Sequence, residues 1–130
     1  MTVNRKLGMA LAIGVAIGAA GAAGIRAGQA KAAPGYLLAE IEVTDIPTMQ
    51  KYGAKMPETL AAYNTQYVIR GGKTISLEGE PPKSIVMLQF ESLEKAKAWY
   101  DSPEYQAIKP IRQSAAKGRL FLVEGIAPKE

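Results

Sequence analysis

The chain has 130 residues, room for one folded core and no second one, and it contains neither His nor Cys. That excludes disulfides, thiolate or imidazole zinc sites, cysteine nucleophiles and every Ser-His-Asp or Cys-His arrangement. The net charge of +4 sits on Arg5, Lys6, Arg26 and Lys31, because residues 33–130 balance 12 basic against 12 acidic side chains. The folded part therefore carries no basic face, and no nucleic-acid partner is expected.

Residues 1–32 have an order of their own. Arg5 and Lys6 form a positive start, and an uncharged run follows from Leu7 to Ile25. Its strongly apolar residues stop at Ile17, and Ala30-Lys31-Ala32 fits a small-x-small cleavage site. This is the grammar of a signal peptide cleaved near Ala32, which implies a periplasmic or secreted protein. The rival is a retained membrane anchor, since nineteen uncharged residues approach the ~20 that span a bilayer. Membrane contact is expected only in that case. Residues 33–130 form the domain.

From Tyr36 the pattern is that of strands and helices in alternation. Leu37, Ala39, Ile41 and Val43 alternate with Tyr36, Leu38, Glu40 and Glu42, a period-two strand. Thr44-Asp45-Ile46-Pro47 starts a helix, with Met49, Tyr52, Met56, Leu60 and Tyr63 on its apolar face. Pro57 is expected to kink or split it, and Asn64 to end it in a left-handed conformation. Gln66–Arg70 reads as a strand that meets Gly71-Gly72, and alternation resumes over Lys73–Glu78. The glycine pair is either a hairpin turn or a bulge in one long strand, with the bulge favoured.

Ser84–Phe90 is apolar on both faces and reads as a central strand. Ser92 caps the next helix, whose buried side is Leu93, Ala96, Trp99 and Tyr100. Ser102-Pro103-Glu104 restarts helix, with Ile108, Ile111 and Ala115 inward and Pro110 interrupting. Gly118 is expected to end that helix, and Arg119–Glu124 to be the last strand. The order β-α-β-β-α-β predicts an α+β fold with helices on one face of an antiparallel sheet. The other face needs cover too, and a second copy of the sheet supplies it most simply, so a homodimer is expected.

If Leu37, Ala39, Ile41 and Val43 face the helices, then Glu40 and Glu42 face the space between sheets. Gln89 joins them if Phe90 faces the helices, and Glu124 is a further candidate. Carboxylates in a partly dry space are proton carriers or ligands for a hard metal ion, with Arg70 and Arg112 as counter-charges. The alternative is plain: alternating Glu marks a solvated face, and Arg70 beside Gly71-Gly72 is a bulge-side ion pair. The glycine pair matches no phosphate-loop spacing. Trp99 and Tyr100 lie at core spacing, whereas Tyr105 is the tyrosine placed for a pocket rim.

Several phrases occur together in order: Tyr67-Val68-Ile69-Arg70-Gly71-Gly72, Leu77-Glu78-Gly79, Phe90-Glu91-Ser92, and Ala98-Trp99-Tyr100-Asp101-Ser102-Pro103-Glu104-Tyr105. Arg112 and Leu122-Val123-Glu124-Gly125 complete the series. From about Tyr36 to Ile126 the chain resembles the family called domain of unknown function 1330, within the dimeric α+β barrel superfamily of ferredoxin-like folds. The resemblance implies a ferredoxin-like βαββαβ fold and a face-to-face dimer, and no established reaction. Relatives in the wider superfamily include monooxygenases, isomerases and haem enzymes that place small ligands between sheet and helices. Without His, a His-ligated haem is out of reach, and no cofactor or metal site is expected.

Two functional readings follow. One is a binding protein for a small polar or aromatic molecule, built from Glu40, Glu42, Arg70, Gly71, Gly72, Trp99, Tyr105 and Arg112. The other is a cofactor-independent enzyme of proton-transfer or monooxygenase-like type, with Glu40 or Glu42 as base and Arg70 as electrostatic anchor. A purely structural role for the dimer is a third.

Overall fold

The computed structural model describes residues 32–129. The segment read as a signal peptide or anchor lies outside the described residues, apart from Ala32 itself. Along the described chain run β1 (Gly35–Val43), α1 (Ile46–Leu60), β2 (Gln66–Arg70), β3 (Ile85–Phe90), α2 (Leu93–Asp101), α3 (Pro103–Ala115) and β4 (Ala116–Glu124). The four strands form one sheet in the order β2-β3-β1-β4, with every neighbouring pair antiparallel. This is the expected ferredoxin-like α+β arrangement, with β3 central.

Strand periodicity sets the two faces. Leu37, Ala39 and Ile41 of β1 and Leu88 and Phe90 of β3 are buried towards the helices. Trp99, Tyr105, Phe90 and Leu88 are the large side chains buried completely. The Trp99 ring lies 4.2 Å from that of Tyr105 and 5.5 Å from that of Phe90. Its indole N–H donates to Thr59 Oγ1 at 2.9 Å, and the Thr59 hydroxyl donates to the Met56 carbonyl at 2.8 Å. A polar residue on α1 thereby satisfies the one polar atom of the largest core side chain.

Helix starts follow their caps. Asp45 accepts from the Thr48 N–H, Ser92 from Lys95 and Ser102 from Tyr105. The Thr48 hydroxyl and N–H hold the Asp45 carboxyl below its ordinary value. Asn64 takes the expected left-handed conformation, with φ of 44°, but at the end of the turn that follows α1, whose own C-cap is Ala61.

Four local expectations are corrected. Pro57 lies inside α1, which runs on unbroken to Leu60, and Pro110 lies likewise inside α3. Pro57 is exposed near the end of its helix, so the bond lost at the Gly53 carbonyl is outweighed by the packing of Tyr52 and Met56. Lys73–Glu78 is not a strand; residues 71–84 form a loop in which Ile75 and Leu77 are 76% and 90% exposed. Continuing the Arg70–Val86 pairing would set Thr74 and Ile75 against Pro82 and Pro81, which have no N–H to give. The bulge falls earlier, between Tyr67 and Ile69. Gly71, with φ of 65°, turns the chain out of the sheet while its N–H still donates to the Ile85 carbonyl at 2.8 Å.

The fourth concerns Gly118, which does not end a helix. α3 stops at Ala115 and Gly118 lies within β4 at φ of 144°. A side chain there would collide with the Glu40 carbonyl and stand 2.9 Å from the Ile41 Cα.

Candidate functional site

The proposed meeting of acids and guanidinium groups does not occur. Glu40, Glu42 and Gln89 face away from the helices, as the alternation required. Arg70 and Arg112 lie on the helix side, where both border a cavity. The sheet itself stands between the two groups. The counter-charge of Glu40 is Arg119, its register partner on β4, whose Nε donates to Glu40 Oε1 at 2.9 Å. Glu124 pairs opposite Gly35, which puts it in phase with Leu37 and Leu122 on the helix side rather than with Glu40.

The cavity lies between α1 and the sheet and has a volume of about 740 Å³. Its origin is a mismatch of side-chain sizes. Towards Phe90 and Leu88 the space between layers is filled by Trp99 and Tyr105. Towards Ile41 and Val43 the facing residues include Ala39 on the sheet and Gly53 and Ala54 on α1, which are too small to fill the gap. The walls are mainly aliphatic: Leu37, Ile41, Val86, Leu88 and Leu120 from the sheet, and Ile46, Met49 and Met56 from α1. Gln50, Tyr52, Tyr67, Arg70 and Arg112 supply the polar groups, and no Asp or Glu among the described residues lines the cavity.

A hydrogen-bonded chain stands at the junction between the filled and open regions. The half-buried Arg112 on α3 donates through Nε to the Tyr105 hydroxyl at 3.1 Å, and that hydroxyl lies 2.9 Å from the hydroxyl of Tyr52. The two tyrosine rings meet edge to face at 6.3 Å. Burial, together with the neighbouring Tyr105 phenol, pushes the Tyr52 phenol well above the ordinary tyrosine range, while Arg112 pulls it the other way. On the β2 side of the cavity the Arg70 guanidinium sits over the Tyr67 ring, 4.6 Å from its centre. The ion pairs among the described residues are Lys97–Asp101 and Glu40–Arg119; neither involves Arg70 or Arg112.

Of the residues expected at a site, Arg70 and Arg112 reach the cavity. Tyr105 is fully buried and acts behind Tyr52, so it is no rim residue. Trp99 is core, and Gly71 and Gly72 belong to the loop that leaves β2. Tyr52 and Tyr67, which spacing alone marks as a helix-face and a strand residue, also border it. A signal for the cavity did exist in Gly53-Ala54, small residues following Tyr52 on a helix otherwise faced with Met and Tyr. Among the described residues, no group of three or more Asp, Glu, His or Cys gathers where it could hold a metal ion. None of their helices is long and apolar enough to cross a membrane.

Solved structures share this architecture. A protein of unknown function from Rhodopseudomonas palustris superimposes with a TM-score of 0.61 at 16% identity, over 74% of this chain and 85% of that one. The same protein in methylated form gives 0.61 at 15%, over 78% and 87%. A dimeric ferredoxin-like protein of unknown function from Thermobifida fusca gives 0.50 at 13%, over 81% of this chain and 100% of that one. At such identities the likeness is one of fold. No curated protein matches the chain. The model of the domain of unknown function (DUF1330) matches residues 34–126, nearly all of the described chain, and the protein belongs to that family.

Proposed function

We propose that the protein binds a small, largely apolar molecule between α1 and the sheet, and does so as a homodimer. The observation that carries the reading is the cavity itself, about 740 Å³ and mainly aliphatic, in a domain whose other inter-layer space is tightly filled. Ligand sites of small molecules are typically ~300–1,000 Å³, mostly apolar, with a few convergent polar groups. Leaving such a volume unfilled costs stability that larger residues at positions 39, 53 and 54 would recover. The base assigned to Glu40 or Glu42 in the enzyme reading would have to act through the sheet, so the geometry favours binding.

Pairing through the open sheet face belongs to the same proposal. Phe121, Val123 and Ile69 are 39%, 42% and 37% exposed there, beside the half-buried Leu38, Ile85 and Met87. A contiguous apolar patch of this kind marks an interface. The description of the Thermobifida fusca neighbour as dimeric agrees with it.

The neutral fluorescent probe N-phenyl-1-naphthylamine tests the cavity. We expect saturable enhancement with the wild-type protein and its loss in Ala54→Trp, which places an indole among the lining residues. Enhancement that is absent in the wild type, or unchanged in a folded Ala54→Trp protein, would refute the reading.

A further inference from the structure

We infer that the molecule taken by this cavity is an organic anion, a hydrophobic body with one carboxylate, sulfonate or comparable head, and that Arg112 and Arg70 hold the head. The inference rests on the reading that the cavity binds a small molecule, and it adds the ligand's charge class.

Among the described residues, the charged ones that line the cavity are Arg70 and Arg112, and both are cationic. Neither has a carboxylate partner among the described residues. Arg112 is half-buried, and its side-chain hydrogen bond runs from Nε to the Tyr105 hydroxyl. A guanidinium carries five N–H donors in a rigid plane. One donor is engaged, which fixes the plane. The terminal nitrogens have no protein acceptor among the described residues, on a side chain that borders an apolar space.

Withdrawing a cation from water without a counter-charge is unfavourable, and proteins normally pair it. Charged side chains elsewhere on the sheet find partners: Glu40 has Arg119, and Arg70 has the Tyr67 face. Among the described residues, the cavity's lining holds no negative charge. Two guanidinium groups bordering one mainly aliphatic cavity, with no acid among the described lining residues, create a positive potential at it. An anion entering from solvent would complete both, and a planar carboxylate or sulfonate matches the Arg fork.

The walls restrict the rest of the ligand. A compact inorganic anion would leave the Leu, Ile and Met surfaces in water, whereas a cationic or zwitterionic molecule would meet two guanidinium groups and no carboxylate among the described lining residues. An aromatic or branched aliphatic body with a single anionic head meets both conditions. The Tyr52 hydroxyl, held by Tyr105, borders the same space as a further polar contact for the head.

Two probes that share one body separate this inference from the reading beneath it. N-phenyl-1-naphthylamine and 8-anilino-1-naphthalenesulfonate have the same anilinonaphthalene frame and differ by a sulfonate. On the wild-type protein the sulfonate is expected to bind at least about tenfold more tightly, as charge-assisted hydrogen bonds imply. Arg112→Met and Arg70→Met should each erase most of that preference, read as the ratio of the two probes' affinities within each variant. Ala54→Trp should exclude both probes. Arg70 is exposed, so its variant folds even if loss of the Arg112–Tyr105 bond weakens the other one. Equal affinities for the two probes, or a preference that survives both Arg substitutions, would overturn the anion assignment and leave the cavity reading standing. If neither probe binds, the cavity reading falls and this inference falls with it.

Discussion

Tyr52 stands where the filled part of the inter-layer space gives way to the open part. Its ring packs in the core with Met56, while its hydroxyl reaches Tyr105 on α3. Sequence spacing identified it as a member of the apolar face of α1 and could not show that one edge of the ring stays beside a cavity. The raised pKa has a consequence of definite sign. The unfolded chain ionises this phenol near the ordinary value of 10.0, whereas the native protein keeps it protonated to higher pH. Stability is therefore complete below that value and is lost as pH rises above it, by up to about 1.4 kcal/mol per pH unit for one proton. Denaturant melts between about pH 9 and about pH 11 should show a shallower loss for Tyr52→Phe than for the wild type. Equal slopes would mean that Tyr52 ionises in the folded protein.

Caps and breaks differ in how much they say about the elements around them. The Ser92, Ser102 and Asp45 caps act within one turn of chain, and the helices start where these residues place them. Breaks are less local. Pro57 and Pro110 remain inside helices held by packing, and Lys73–Glu78 stays out of the sheet although it alternates, because the chain opposite it contains Pro81 and Pro82. Gly118 illustrates the same point from the other side. It looks like a helix terminator and is instead required by the close approach of β4 to β1, with a positive φ besides. Gly118→Ala should lower stability by about 2 kcal/mol or more in chemical denaturation, the sum of backbone strain and overlap with Glu40. Gly72→Ala, where an added Cβ meets nothing within 4 Å, serves as the comparison and should change stability by no more than about 0.5 kcal/mol. Similar effects at both positions would contradict the assignment.

At the level of the protomer, one sheet presents a helix-covered side with a cavity and an open side with an apolar patch. The open side predicts the oligomeric state. The wild-type domain should sediment as a dimer at about 10 µM, and Phe121→Glu should shift it to monomer by placing a charge on the β4 end of the apolar row Ile69, Met87, Leu38 and Phe121. A monomeric wild type would refute the pairing. Because the cavity belongs to the helix side, a monomeric variant that remains folded should still bind the neutral probe.

Alternation along β1 and β3 told which residues share a side, since period two is a property of a few consecutive residues, and the caps told where helices begin. The α+β class and the ordered phrases of the family were readable on the same local terms. Which charged groups meet was not readable. Arg70, Arg112, Glu40 and Glu42 lie on strands or helices whose positions across the sheet depend on chain order and register, and these placed the acids behind the sheet. The cavity depends on volumes contributed from separate elements, Ala39 on one layer against Gly53 and Ala54 on the other. No single stretch of chain contains that difference, so it emerged only once the layers were packed together.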